Sequence, residues 1–362
     1  MTGDLLYSET EDALRESVRA LLAANCPSDR VASMYDGDES LARDLWGAVS
    51  VAMELPAIGL PESLGGSGAS AREVAVVMEE LGRVVAPIPF LTSSVIAQRS
   101  LGHCGETDLL KAMADGSHVC ALAVPFSSFG RTRGESVSVS GGRVTGSVAA
   151  VAGAGHADVI LVPGLDGGDL TLQAVDAADA HVTRRSSLDM SRPVCDLTFE
   201  SSPAREIARG QDADDAVSSG LLMGSAMLAS EQVGVAEWCL ETTVAYVKQR
   251  NQFGRPIGSF QAVKHRLARL WISVNSARAA ARNAAVLVEP GDVPAKVAVA
   301  LAQSYCSDVA VLAAEECVQL HGGIGMTWEH PTHLYLKRAK ADQLALGTPA
   351  HYRARLAALN SL

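Results

Sequence analysis

Apolar residues recur at helical spacing through roughly the first third of the chain. Within 11–24, Leu14, Val18, Leu21 and Leu22 share one stripe, which Cys26 and Pro27 end. Positions 41–53 repeat the pattern up to Pro56. Ser70 opens a capping box with Glu73, and Val74, Val77, Met78 and Leu81 form the apolar face that follows. Helical spacing resumes over 91–101 and 107–114. Near residue 118 the period shortens: 119–124 is a short apolar run, and 136–139 alternates as a half-buried strand does. Residues 143–146, 159–162, 170–175 and 194–199 are further strands, divided by Gly, Asp and Pro. The acidic run Gln211–Asp215 reads as a linker. Long helical patterns then cover 233–248, 262–288, 295–319, 332–344 and 348–359. The pattern predicts an α+β chain: a helical domain over 1–116, an antiparallel β-domain over 117–205, and a helical bundle over 206–362.

Composition narrows the class. Of 362 residues, 48% are hydrophobic but only 4% aromatic, so the cores are aliphatic and suit closely packed helices. The net charge of -11 offers no basic stripe to a nucleic-acid backbone, so nucleic acid is not an expected partner. The seven cysteines are scattered singly with no CxxC spacing, which reads as reduced thiols rather than disulfides or a metal site. No metal-spaced cluster of His, Asp or Glu is present. No unbroken apolar run reaches about 18 residues, so no membrane span is expected, and the location expected is cytoplasmic.

Two breaks between helices carry the candidate chemistry. In the first, Gly254, Pro256 and Gly258 force a stiff corner flanked by Arg250, Phe253 and Gln261. A guanidinium, an aromatic face and an amide on a rigid corner suit a cofactor that bears both phosphate and an aromatic ring. The same residues equally suit a plain helix hairpin with a surface arginine. In the second break, Gln319 and His321 precede Gly322, Gly323 and Gly325. One glycine suffices to stop a helix; three in four positions let a ligand approach the backbone and its free amides.

With these motifs in place the whole chain resembles the acyl-CoA dehydrogenases. The likeness rests on Gly59-Leu60-Pro61-Glu62 with Leu64-Gly65-Gly66-Ser67-Gly68, and on Met78-Glu79-Glu80-Leu81-Gly82. It rests further on Arg250-x-x-Phe253-Gly254-x-Pro256-Ile257-Gly258-x-Phe260-Gln261, and on Gln319-Leu320-His321-Gly322-Gly323-Ile324-Gly325. The resemblance implies FAD as cofactor and an acyl-CoA thioester as substrate. It implies that Arg250 holds the diphosphate across a subunit interface, that Phe253 and Gln261 pack the cofactor, and that Gln319, Gly322 and Gly323 lie against its ADP half. It adds Thr348 to the cofactor set.

Departures from the family pattern are equally informative. Where the family holds the flavin ring, this chain reads Val124 to Arg131 and Gly146 to Val151, without the usual hydroxyl and amide partners. Where the family's catalytic Glu precedes Gly-Thr, this chain has Leu346 before Gly347 and Thr348. The alternative base position of some relatives falls near Gly224, with Ser225 beside it. Leu346 cannot accept the α-proton that such a reaction releases. The expectation is therefore a subunit that completes the FAD site of a paralogous partner, in a heterotetramer, with a bulky or steroid acyl thioester as substrate. The alternatives are an autonomous homo-oligomeric dehydrogenase with a base relocated to Glu231, Glu329 or Asp342, each otherwise readable as a solvated helix residue, and a flavin-dependent monooxygenase on the same fold.

Overall fold

The computed structural model describes residues 5–127 and 134–361. Helices α1 (Glu9–Asn25), α2 (Ser28–Ser33), α3 (Ser40–Met53) and α4 (Ala71–Arg83) form the first layer. The capping box expected at Ser70 is present, with the Ser70 amide donating to Glu73 Oε2 at 2.9 Å. Phe90–Ala97 winds as a π-helix and continues into α5 (Gln98–His103), followed by α6 (Thr107–Ala114). The spacing over 91–101 is thus helical, but its first two turns are wider than α.

Eight strands make one sheet: β1 (Cys120–Leu122), β2 (Val137–Ser140), β3 (Arg143–Ala152), β4 (Val159–Asp166), β5 (Asp169–Asp176), β6 (His181–Arg184), β7 (Val194–Pro203) and β8 (Arg205–Arg209). Their order is β6-β7-β3-β2-β4-β5-β8, with β1 alongside β4. The sheet is mixed rather than antiparallel, because β1 and β2 each run parallel to β4. Hairpin turns reveal antiparallel neighbours in a sequence, whereas a parallel pairing across some forty residues leaves no local mark. A cluster of Val139, Val144, Val151, Ile160, Leu197 and Phe199 fills one side of this sheet.

Helix α7 (Gln211–Gln249) runs for 39 residues, about 58 Å at the usual rise, and starts well before the expected 233. The acidic run is not a linker: Asp212 and Asp214 occupy the first turn of α7, where negative charge offsets the helix dipole. A hairpin of β9 (Asn251–Gln252) and β10 (Arg255–Pro256) leads to α8 (Gln261–Leu287), then α9 (Val293–His321), α10 (Thr332–Leu344) and α11 (Pro349–Leu359). Helix α9 is long and apolar enough to cross a bilayer, but 72% of its most apolar window is buried inside the fold.

Close backbone contact joins the two helical layers. A Cβ on Gly82 would lie 2.2 Å from the Glu231 carbonyl oxygen, and one on Gly234 would lie 1.9 Å from that of Glu79. Only glycine permits α4 and α7 to cross this closely. All seven cysteines are free, and six of them are buried.

Candidate functional site

Arg250 caps the C-terminus of α7, its amide bonded to the Tyr246 carbonyl at 2.9 Å. Ile257 N–H returns to the Arg250 carbonyl at 2.8 Å, closing the corner around β9 and β10. Phe253 stands at φ 54° and 91% exposed, its ring meeting only that of Phe260 among the described ring contacts, edge to face at 6.1 Å. Gln261 opens α8 and is exposed. Phe260, the residue before it, supplies no side-chain cap, so the first amides of α8 remain available to an anion. Arg250 itself is exposed and makes no side-chain ion pair among the described residues.

The second break lies beside the first. His321, 3% exposed, stacks on Tyr246 with ring centroids 4.3 Å apart and planes at 27°. Its Nδ1 lies 2.7 Å from the Cys317 carbonyl oxygen, while Nε2 is buried without a partner. Gln319, Gly322 and Gly323 are exposed, and a Cβ on Gly322 or Gly323 would meet nothing within 4 Å. The pairing of Tyr246 with His321 is not visible in the sequence, although Tyr246 lies one helical turn before the first motif and His321 belongs to the second. A shared exposed surface thus carries a guanidinium, an aromatic ring, two amide side chains and open glycine backbone, a set that fits the phosphate and aromatic parts of a dinucleotide.

The Leu346 turn is elsewhere. Leu346 contacts the Gly224 region of α7, 26 residues before Arg250 and so roughly 39 Å away along the helix. The Arg250 corner and the Leu346 turn therefore lie at well-separated points along α7. Thr348, which the sequence placed with the cofactor residues, caps α11 by accepting the His351 amide at 3.2 Å and lies at this second location.

The second location is filled. Leu346 is 0% exposed at φ 53°, a left-handed conformation costly for a side chain with a Cβ. Its N–H donates to the Phe126 carbonyl at 2.7 Å, and its own carbonyl accepts from Tyr352 Oη at 2.7 Å. Tyr352 Oη also lies 2.9 Å from Ser225 Oγ. A Cβ on Gly224 would be 2.5 Å from Ile96 Cγ1 and 3.3 Å from Leu346 Cδ1, so the π-helix and the leucine occupy the space beside Gly224. Of the expected flavin-ring loop, 128–131 lies outside the described residues.

The three carboxylates considered as relocated bases divide sharply. Glu329 is exposed. Glu231 and Asp342 are not solvated helix residues: they are 1% and 0% exposed and bonded to Arg192, with Glu231 also bonded to Arg338. A buried carboxylate is retained where guanidinium groups offset its desolvation, a pairing between distant elements that helical spacing cannot reveal.

Comparison with known proteins decides the family. The model for the acyl-CoA dehydrogenase N-terminal domain matches residues 8–114, and that for the C-terminal domain matches residues 215–358. Acyl-CoA dehydrogenase IpdE2 of Mycolicibacterium smegmatis is 33% identical over 97% of this chain and 99% of its own length. The chain belongs to the acyl-CoA dehydrogenase family. Members of this family are FAD-dependent flavoproteins. IpdE2 of Mycobacterium tuberculosis is 32% identical over 96% of both chains. Among solved structures, the ChsE4-ChsE5 complex from Mycobacterium tuberculosis gives a TM-score of 0.88 at 27% identity, covering 99% of each chain. A Tcur3481-Tcur3483 steroid ACAD variant gives 0.86 at 28% identity over 98% of each. The expected family is the one found, and so is the order of helical, β and helical parts, with the sheet mixed rather than antiparallel; FAD is the cofactor of that family.

Proposed function

We propose that this acyl-CoA dehydrogenase chain acts as the subunit that completes the FAD site of a paralogous partner, in a hetero-oligomer such as a heterotetramer. The observation that carries this reading is the pairing of an exposed Arg250 corner with a buried Leu346 turn about 39 Å away along α7. FAD bound at the corner would supply the two-electron acceptor for α,β-dehydrogenation of an acyl-CoA thioester. The residues that would hold it are Arg250 at the diphosphate, Phe253 and Gln261 along the cofactor, and Gln319 with Gly322 and Gly323 at the ADP half. These groups bind and orient; none removes a proton. The α-proton would go to a carboxylate of the partner subunit, because the position that carries one in the family holds Leu346 here.

The solved ChsE4-ChsE5 complex and the steroid ACAD pair support a two-gene assembly and a bulky acyl group. The autonomous reading has no comparable support, since Glu231 and Asp342 face guanidinium groups and Glu329 is exposed at the surface. The test is expression of the full chain alone and together with a paralogue that retains the Glu-Gly-Thr turn. The expected result is flavin absorbance and substrate-dependent bleaching only in the co-purified complex. A flavin-loaded, fully active homo-oligomer of this chain alone would overturn the proposal.

A further inference from the structure

Five charged side chains meet where the sheet is fastened to the helices. Arg338 of α10 donates through Nε to Asp189 Oδ2 at 2.5 Å and through NH1 to Glu231 Oε1 at 2.6 Å. Arg192 donates to both oxygens of Glu231, at 2.7 and 2.6 Å, and to Asp342 Oδ1 at 2.7 Å. Asp189 and Arg192 lie in the connection from β6 to β7, Glu231 lies in α7, and Asp342 lies in α10 one turn after Arg338. The cluster is therefore a clamp between three elements that, among the described residues, share no backbone hydrogen bond. The side chains of Asp189, Glu231, Arg338 and Asp342 are at most 2% exposed, and that of Arg192 is 12% exposed.

Charge does not balance in this clamp. Three carboxylates face two guanidiniums, so full ionisation would leave one uncompensated negative charge away from water. Among the described residues no further cation bonds to these carboxylates, and Lys337 acts on Asp189 only through space. Ser191 donates to Asp189, Tyr35 Oη lies 3.4 Å from Asp189 Oδ1, and Gln232 Nε2 reaches the Asp342 carbonyl at 3.3 Å. From α9 the neutral Ser307 faces Gln232. Lys337 feels Asp189 electrostatically, but its ammonium sits over the rings of Tyr35 and Trp328, and burial lowers its pKa.

The six carboxylate oxygens show where the imbalance is absorbed. Five accept a hydrogen bond; Asp342 Oδ2 is buried and has no partner. An ionised oxygen without a donor is strongly disfavoured there, whereas a carboxyl O–H carries no charge to solvate. We propose that Asp342 holds a proton in the folded protein, and that loss of this proton weakens the clamp between the sheet and the helices.

The direction of each titration agrees. Burial, and then Glu231 beside it, push the Asp342 pKa up to about 8. Glu231 and Asp189 are also pushed up by burial, but the adjacent guanidiniums outweigh it and hold both below the usual range. A carboxyl whose folded pKa exceeds its unfolded value of about 3.9 keeps its proton longer in the native state. Its contribution is complete below about pH 4, declines as pH rises, and is gone above the folded pKa of about 8. The consequence reaches the buried Leu346 turn, because the Arg192 guanidinium lies 5.9 Å from the ring of Phe126, whose carbonyl holds Leu346. None of this depends on the proposed partner.

Denaturant unfolding of the full chain and its Asp342→Asn variant, at pH 6 and pH 9, tests the proposal. Asn keeps an acceptor for Arg192 and cannot ionise. The ratio of the two unfolding constants should change by roughly a hundredfold between these pH values, the wild type weakening at pH 9. A ratio constant within about threefold would overturn the proposal. Should the variant fail to fold, infrared spectra of wild-type chain carrying carboxyl-labelled aspartate serve instead. They should show a protonated, isotope-shifted carboxyl band at pH 6 that disappears by pH 10. Glu79, also raised by burial, is a glutamate and stays unlabelled. Absence of the band at pH 6 would equally overturn it.

Discussion

The ring of Tyr246 stacks on that of His321, 4.3 Å between centroids with the planes at 27°, and this stack joins the two motifs proposed to hold the cofactor. Tyr246 is one turn before Arg250 on α7, and His321 is the last residue of α9. The stack therefore fixes the Arg250 corner against the glycine turn. Tyr246→Ala should lower stability by about 1–2 kcal/mol through lost stacking and burial. It should also reduce flavin retained by the co-purified complex more than that stability loss explains. Thermal denaturation with a flavin titration separates the two effects.

Arg250→Ala should behave differently. Its guanidinium is exposed and makes no ion pair among the described residues, so the chain should lose less than about 0.5 kcal/mol of stability. Loss of a charge-assisted contact to a diphosphate should nevertheless weaken FAD binding by about 1.5–3 kcal/mol, roughly ten- to a hundredfold. Equilibrium flavin release from the complex reads this directly. Unchanged release would remove Arg250 from the cofactor surface.

What the sequence made legible was contiguous in it. The corner from Arg250 to Gln261 and the turn from Gln319 to Gly325 each sit within a dozen residues, and turn chemistry names them without tertiary information. The Leu346 departure is visible for the same reason. What stayed hidden depends on contacts between distant elements. Glu231 and Asp342 look like surface helix residues until Arg192 arrives from the β6–β7 connection. The first turns of α7 look like a linker because acidic residues suit both a solvated loop and a helix N-terminus. The Tyr246–His321 stack falls between these cases: Tyr246 borders the first motif and His321 sits within the second, but nothing local pairs them.

Glycine substitutions should separate packing from ligand approach. Gly234→Ala would drive a methyl into the Glu79 carbonyl at 1.9 Å, a backbone atom that no rotamer change can move. It should cost more than about 3 kcal/mol, at the upper end for overpacked sites, and be evident as poor yield or a large fall in Tm. Gly323→Ala meets nothing within 4 Å and should leave the Tm within about a degree or two. If Gly323 borders the cofactor, the same methyl should still weaken flavin binding. Equal stability losses at the two positions would contradict the close crossing of α4 and α7.

Acid stability should depend on Arg282. Glu11 is fully buried; burial pushes its pKa up, but bonds from Arg72, the Ser8 amide and Arg282 outweigh this and hold it at about 2. Arg282 NH2 contributes at 2.5 Å, Arg72 NH2 at 2.7 Å and Ser8 N–H at 2.7 Å. Because the folded pKa lies below the unfolded one, the stabilisation is complete above about pH 4.5 and is lost as pH falls toward 2. Arg282→Met keeps most of the side-chain volume over Tyr7 but removes one of the two guanidiniums. The variant should lose about 3 kcal/mol at pH 7, as expected for a broken buried pair. Its acid unfolding midpoint should move upward, because Glu11 then protonates at a higher pH in the native state. Circular dichroism titrated from pH 7 to pH 2 checks both, and an unmoved acid midpoint would mean that Arg72 and the Ser8 amide suffice.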